Sequence, residues 1–195
     1  MTSIIQIRPA VRGDKFWIAK AMRIASGGIV DFLFSDLSSN LSVEQWLSLE
    51  IVRDNSPLSY KNTLIAVINN EIVGVVNAYP GECFSLPEKN NFIFSPNKVE
   101  ILSPFYTVNL EYTFYIDTLF VQEKFRGKNI ARTLLEEKFL LAKRNGFSVV
   151  SLYVWENNAT AIALYRKLGF VLVQSVKSYF HPFQNQSRLL FCKYW

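Results

Sequence analysis

Arg126, Gly127, Lys128 and Asn129 lie between an apolar run that ends at Val121 and an amphipathic pattern that begins near Ile130. A helix starting there leaves its first amide N–H groups unpaired and turns the positive end of its dipole toward the loop. Lys124 and Arg132 add positive charge on either side. On physical grounds this stretch reads as a cradle for a pyrophosphate. Asp117 lies inside the apolar run, where strand alternation puts it on one face with Tyr115 and Leu119. Asn158 and Tyr165 are seven positions apart, about two helical turns, so they project from nearly one face.

The elements that must position these groups follow from the pattern of apolar residues. A first strand is expected over Ile4–Arg8, halted at Pro9, then a helix from an Asp14 cap through Ser26 with Gly27 and Gly28 as its stop. Ser42 and Gln45 have capping-box spacing, and Val43, Trp46, Leu47 and Ile51 mark the apolar face of a second helix to Arg53. Leu64–Ile68 and Ile72–Ala78 form a hairpin about Asn69-Asn70-Glu71. The connection from Pro80 to about Glu111 is too long for a plain turn and reads as an insertion with a purpose of its own. A strand over Tyr112–Val121 then feeds a helix from about Gly127 to Asn145, with Ile130, Leu134 and Leu141 on one face. A strand over Ser148–Trp155, a helix over Asn158–Leu168 and two strands, Phe170–Tyr179 and Ser187–Tyr194, complete the chain. The last two are expected to pair antiparallel.

Composition narrows the function. The 195 residues fit one domain with a real core, and 50% apolar and 15% aromatic content excludes disorder. No apolar run is long enough to cross a bilayer and no secretory leader is evident, so a cytoplasmic protein without membrane association is expected. Cys83, Cys192 and the single His181 supply neither a metal-binding spacing nor a disulfide framework. The net charge of +5 and pI near 9.2 suit an anionic ligand. Basic residues are dispersed, however, and no nucleic-acid-binding signature is present.

Two motifs, in order and at their mutual spacing, resemble the GNAT superfamily of acyl-CoA-dependent N-acetyltransferases. The first is Arg126-Gly127-Lys128-Asn129-Ile130-Ala131, against the family pattern of Arg or Gln, two residues, Gly, one residue, then Gly or Ala. The second runs from Asn157 to Phe170, with Asn158, Tyr165 and the closing Leu168-Gly169-Phe170. The resemblance is strong over Tyr112–Tyr179, and the N-terminal half matches in element order. One departure is Asn129, where the family usually has Gly. Asn is the next residue best suited to unusual loop dihedrals.

The resemblance implies an α/β domain of GNAT fold, a mixed twisted sheet of about six to seven strands flanked by helices. It implies acetyl-CoA as co-substrate and no metal. The backbone of Leu119, Phe120 and Val121 would pair with the pantetheine arm, and the amides of Gly127 to Ala131 would hold the pyrophosphate, with Arg126 and Arg132 beside them. Asn158 would bond the pantetheine region, its competing role being a helix N-cap. Tyr165 would approach the thioester sulfur and give the departing thiolate its proton, its competing role being packing.

Direct attack of an amine on the acetyl carbonyl also needs a base. Asp117 is the candidate and Glu111 the reserve; the competing role for Asp117 is local hydrogen bonding. On the acceptor side the implied residues are Asp31, Phe32, Tyr115 and His181, with Phe34 and Asp36 nearby. The insertion adds Phe84, Phe92, Phe94, Phe105 and Tyr106. An aromatic pocket with a carboxylate suits a small cationic amine. The same aromatics equally suit an insertion core or a homodimer interface. Three functions stay open: acetylation of a small-molecule amine, which the insertion favours, acetylation of a protein N-terminus or lysine, and non-catalytic acyl-CoA binding.

Overall fold

A computed structural model of the chain describes residues 5–36, 40–85, 94–179 and 181–195. Ile4 and Phe92, both assigned places above, lie outside the described residues. The elements in order are β1 (Gln6–Pro9), α1 (Lys15–Ala25), α2 (Ile29–Phe34), α3 (Val43–Ile51), β2 (Thr63–Ile68), β3 (Glu71–Pro80) and α4 (Pro96–Leu102). They continue with β4 (Phe114–Val121), α5 (Ile130–Arg144), β5 (Val149–Trp155), α6 (Ala159–Lys167), β6 (Val171–Lys177) and β7 (Ser187–Tyr194).

Local chemistry explains most of these boundaries. The Ser42 hydroxyl accepts from the Gln45 amide and the Gln45 side chain reaches back to the Ser42 amide, closing the capping box of α3. Asn69 and Asn70 both adopt positive φ, 49° and 64°, the backbone of a type I′ hairpin turn. Asp14 departs from expectation. It makes no cap bond to α1 but accepts two bonds from the Arg8 guanidinium and one from the Val11 amide. Gly27 takes φ +61°, and a Cβ there would meet the Trp155 ring at 2.2 Å. The chain resumes at once as α2, an element that the stop at Gly28 concealed.

The seven strands form one sheet in the order β1-β2-β3-β4-β5-β7-β6. All pairings are antiparallel except β4 with β5. β6 and β7 pair as expected, and β7 also fills the space beside β5. Helices α1 and α3 cover one face through Ile18, Met22, Leu47 and Ile51, packed on Ile65 and Val75. Helix α5 covers the other through Ile130, Leu134, Leu135, Phe139 and Ala142. Leu141, expected on that face, is exposed.

The buried face of α5 also carries Lys138, 1% exposed, whose Nζ donates to the Asn62 carbonyl at 2.7 Å. Burial pushes its pKa down to about 8 from 10.5. The folded chain therefore releases this proton before the unfolded one does, and the cost of the buried charge is full below about pH 8 and fades toward 10.5. Lys138→Met keeps the stem volume and removes the charge, while the Asn62 carbonyl retains the Asn77 amide at 3.4 Å. We expect the variant to be more stable at pH 7 by about 2 kcal/mol. The gain should shrink as pH rises through 8 to 10, read from urea midpoints across that range. A less stable variant would mean that the ammonium bond outweighs its desolvation.

Two irregularities of β4 matter for the site. Its register with β3 passes from Asn77↔Thr118 to Ala78↔Ile116, so Asp117 is an extra residue without a partner opposite it. Its pairing with β5 stops at Ile116↔Leu152, while β5 stays paired with β7 to Trp155. From Asp117 onward the two parallel strands therefore part, and the edge of β4 that faces β5 is left without a strand.

Candidate active site

The parting of β4 and β5 opens into a cavity of about 1530 Å³, larger than most small-ligand clefts and of a size for an extended ligand. Leu119, Phe120 and Val121 line it from β4, and Arg126, Gly127, Asn129, Ile130, Ala131 and Arg132 line it from the α5 start. Asn158 and Tyr165 of α6 face it from the other side, with Asp117 and Tyr115 between.

At the start of α5, Asn129 adopts φ 61° and ψ 8°, the left-handed conformation for which Gly is the usual choice. Gly127 is also left-handed, at φ +76°. Among the described residues, no backbone or side-chain acceptor is found for the amides of Gly127 through Arg132. The Asn129 carbonyl is used inward, accepting from the Thr133 amide at 3.0 Å and its hydroxyl at 3.1 Å. Unpaired donors at the positive end of a fifteen-residue helix are what pyrophosphate oxygens need. The flanking cations are engaged to different degrees. Arg132 pairs with Glu136 at 2.8 Å and Lys124 with Glu71 at 2.7 Å. Lys128 lies over the Phe125 ring and does not line the cavity. Arg126 donates to the Val121 carbonyl at 3.3 Å, so it is held against the end of β4.

The bulge changes the face of β4. Phe114, Ile116, Leu119 and Val121 all pack toward α5, whereas Tyr115 packs with Tyr79 on the other side. The expected alternation of Tyr115, Asp117 and Leu119 is thus broken after Asp117. Asp117 stays near Tyr115 and accepts from the Tyr79 hydroxyl at 3.0 Å and the Thr118 hydroxyl at 2.9 Å. Burial raises its carboxyl above the ordinary value, and those two bonds and the more distant Arg188 charge pull it part of the way back. The competing role of Asp117, local bonding, is real and coexists with its place on the cavity wall.

Asn158 caps α6, its Oδ1 accepting from the Ala161 amide at 3.1 Å. Its Nδ2 group is left free of that bond and can donate to a ligand. Tyr165 is buried, its ring 5.7 Å from Phe170, and desolvation raises its hydroxyl well above the ordinary tyrosine value. It stays protonated across the working range.

On the acceptor side the cavity takes in Tyr115, with Phe84, Phe94 and Tyr106 of the 80–111 connection, while Phe105 is core. Asp31, Phe32 and His181 are not among the lining residues. Asp31 pairs with Arg23, which also holds Glu44, and so ties α2 to α1 and α3. Phe32 packs edge-on against Phe183, and His181 is exposed. Tyr79, Tyr153 and Arg188 also line the cavity and were not foreseen. Arg188 had one signal, a cation just before the apolar run Leu189–Cys192 of β7. Among the described residues, no His, Cys, Asp and Glu grouping could hold a metal ion, and no helix is long and apolar enough to cross a membrane.

Comparison with known proteins bears on the fold and the family. Over 64 residues the chain is 36% identical to an uncharacterized N-acetyltransferase of Methanocaldococcus jannaschii, a match that takes in 33% of this chain and 28% of that protein. The chain thus matches little more than a quarter of that relative's length. An N-acetyltransferase from Staphylococcus aureus Mu50 superposes with a TM-score of 0.68 at 23% identity, covering 96% of this chain and 99% of its own. The PaiA N-acetyltransferase of Thermoplasma acidophilum, solved in complex with coenzyme A, gives 0.57 at 15% identity over 98% and 99%. At these identities the likeness is one of fold. The profile of the Acetyltransferase (GNAT) family matches residues 31–170, most of the chain, which therefore belongs to the GNAT acetyltransferase family.

Proposed function

We propose that the protein transfers an acetyl group from acetyl-CoA to the primary amine of a small molecule, by direct attack within a ternary complex. One observation carries the reading. Gly127 and Asn129 through Arg132, whose amides are unpaired, line the same cavity as Asp117 and Tyr165.

In this reading the α5 start grips the pyrophosphate, and the free edge of β4 beyond Ile116 offers main-chain groups to the pantetheine arm. Bound acetyl-CoA supplies an activated acyl group, a thioester whose carbonyl carbon the amine attacks and whose sulfur leaves. Asp117 receives the proton that the amine must lose, directly or through water. Tyr165, kept neutral by its burial, gives a proton to the departing sulfur. One N–C bond forms, one C–S bond breaks, and the proton lost by nitrogen is balanced by the proton gained by sulfur. Phe84, Phe94 and Tyr106 wall the acceptor end, which supports a small molecule over a polypeptide chain.

Titration calorimetry with acetyl-CoA, followed by thiol release over a panel of amines and peptides, tests this reading. Heat of binding together with release on small amines is expected. Release on peptides alone would assign protein acetylation, and binding without release would assign an acyl-CoA-binding module. No heat at all would remove the cradle itself.

A further inference from the structure

We propose that the acceptor amine also carries a carboxylate, and that Arg188 of β7 receives it. The proposal rests on the acetyl-transfer reading and names the substrate class for that same site. Nη1 of Arg188 is buried and has no hydrogen-bond partner, and the same holds for the Tyr153 hydroxyl. Both side chains line the cavity that holds Asp117 and Tyr165. No ion pair among the described residues includes Arg188.

Arg188 as a whole is half-buried, but a buried donor left idle at one end of its fork carries a cost. Aromatic faces offset part of it: the guanidinium carbon lies 4.6 Å from the centre of the Tyr153 ring, 5.5 Å from Phe105 and 5.8 Å from Trp155. The hydroxyls of Tyr106 and Tyr115, pushed up by burial, are drawn back toward their ordinary values by the same cation. These contacts, with the hydrogen-bonding pull of Arg188 on the Tyr106 and Tyr115 hydroxyls, fix the plane and position of the fork but give it no ion pair and leave Nη1 idle. A fold that needed Arg188 only for packing would have paired Nη1. A planar carboxylate matches the fork, and Tyr153 has a hydroxyl to spare for it. A single cation without an ion pair answers one negative charge, which favours a carboxylate over a doubly charged phosphate.

The opposite end of the ligand has its own partner. Asp117 feels Arg188 through space without forming an ion pair with it. A chamber with a carboxylate on one wall and a guanidinium on another suits a short molecule with an ammonium and a carboxylate, of α-amino acid type. It disfavours a polyamine, whose second ammonium would face Arg188. The small cationic amine expected from the sequence is thereby narrowed to one that also carries a carboxylate.

The test measures thiol release from acetyl-CoA with each of the common L-amino acids, the matching α-carboxamides, and spermidine. The best amino acid should exceed its own amide about 100-fold in kcat/KM, and spermidine should fall with the amides. Arg188→Met should bring the acid down to within about three-fold of the amide, with acetyl-CoA binding at the distant α5 start as the check that the variant is folded. Equal use of acid and amide by the native protein overturns the proposal, whatever the variant does. So does a variant that binds acetyl-CoA and keeps the native ratio. Should no acetyl transfer occur at all, quenching of tryptophan fluorescence by the N-acetyl amino acids, compared with their amides, reads Arg188 independently. Acid-specific quenching, lost in Arg188→Met, upholds the carboxylate site without the chemistry. Its absence removes the site as well.

Discussion

Asp117→Asn is expected to lower kcat/KM for acetyl transfer by 100-fold or more, within the range of about 10² to 10⁴ typical of a lost general base. Asn keeps the shape and still accepts from the Tyr79 hydroxyl, so the Tyr79–Tyr115 pair, 5.6 Å between ring centres, should stay in place. What disappears is the capacity to take a proton. Burial raises the native carboxyl above its unfolded value, so the native rate should climb with pH through that raised ionisation. In the variant this limb should vanish, leaving only the climb set by the amine's own ionisation. The same shift fixes the sign of the stability effect. A carboxyl raised on folding contributes most below its unfolded value, and loses that contribution as pH rises through the folded one. Wherever the native side chain is ionised it is therefore a cost, and there the Asn variant should melt no earlier. A pH–rate profile that keeps the limb would take the base role from Asp117, and a full loss of rate with a lowered melting point would point to damage instead.

Much of this arrangement was legible before any coordinates. The Asn69-Asn70 turn, the Ser42–Gln45 capping box and the strand feeding the α5 start are all local decisions, written in adjacent residues. Asn129 belongs with them, since only a few residue types tolerate the left-handed backbone and Asn leads those that carry a side chain. Asp14 shows the limit of local reading. Its position suited a helix cap, but Arg8 lay within reach of its carboxylate and won it. The Asp117 bulge was invisible for a related reason. Alternation assumes an unbroken ladder, and nothing in Tyr115-Ile116-Asp117-Thr118 announces that β3 will skip a residue. Yet that skip turns Leu119 toward α5, and it coincides with the point where β4 leaves β5.

The acceptor side was the least legible part, because it is assembled from segments far apart in sequence. Tyr79, Tyr106, Tyr153 and Arg188 come from β3, the long connection, β5 and β7, and only the placement of β7 beside β5 brings them together. Asp31, Phe32 and His181 were assigned by position relative to motifs, and each was engaged elsewhere or exposed. Neighbours along the chain decide a residue's local conformation, as at Asn129, whereas strand order decides which distant side chains share a cavity wall.

Tyr165→Phe puts the other half of the chemistry to test. The ring keeps its contact with Phe170 and loses only the hydroxyl, so stability should change by no more than about 0.5 kcal/mol. The acetyl-CoA affinity should change little, because the cradle lies on α5 and the α6 cap depends on Asn158. The effect belongs in kcat, which should fall about 100-fold if the hydroxyl protonates the leaving sulfur. Because burial lifts the Tyr165 hydroxyl far above the working range, the native enzyme should show no alkaline decline from its ionisation, and the variant should gain none. The diagnostic is rescue: small acids such as imidazolium should restore part of the variant's rate in proportion to their concentration, and should leave the native rate unaffected. A packing role predicts the reverse pattern, a lowered melting point with little loss of kcat and no response to added acid. A proton donor and a packing ring are thus separated by two measurements on one variant, and the Asp117 limb should persist in it, since the two groups act on different atoms of the reaction.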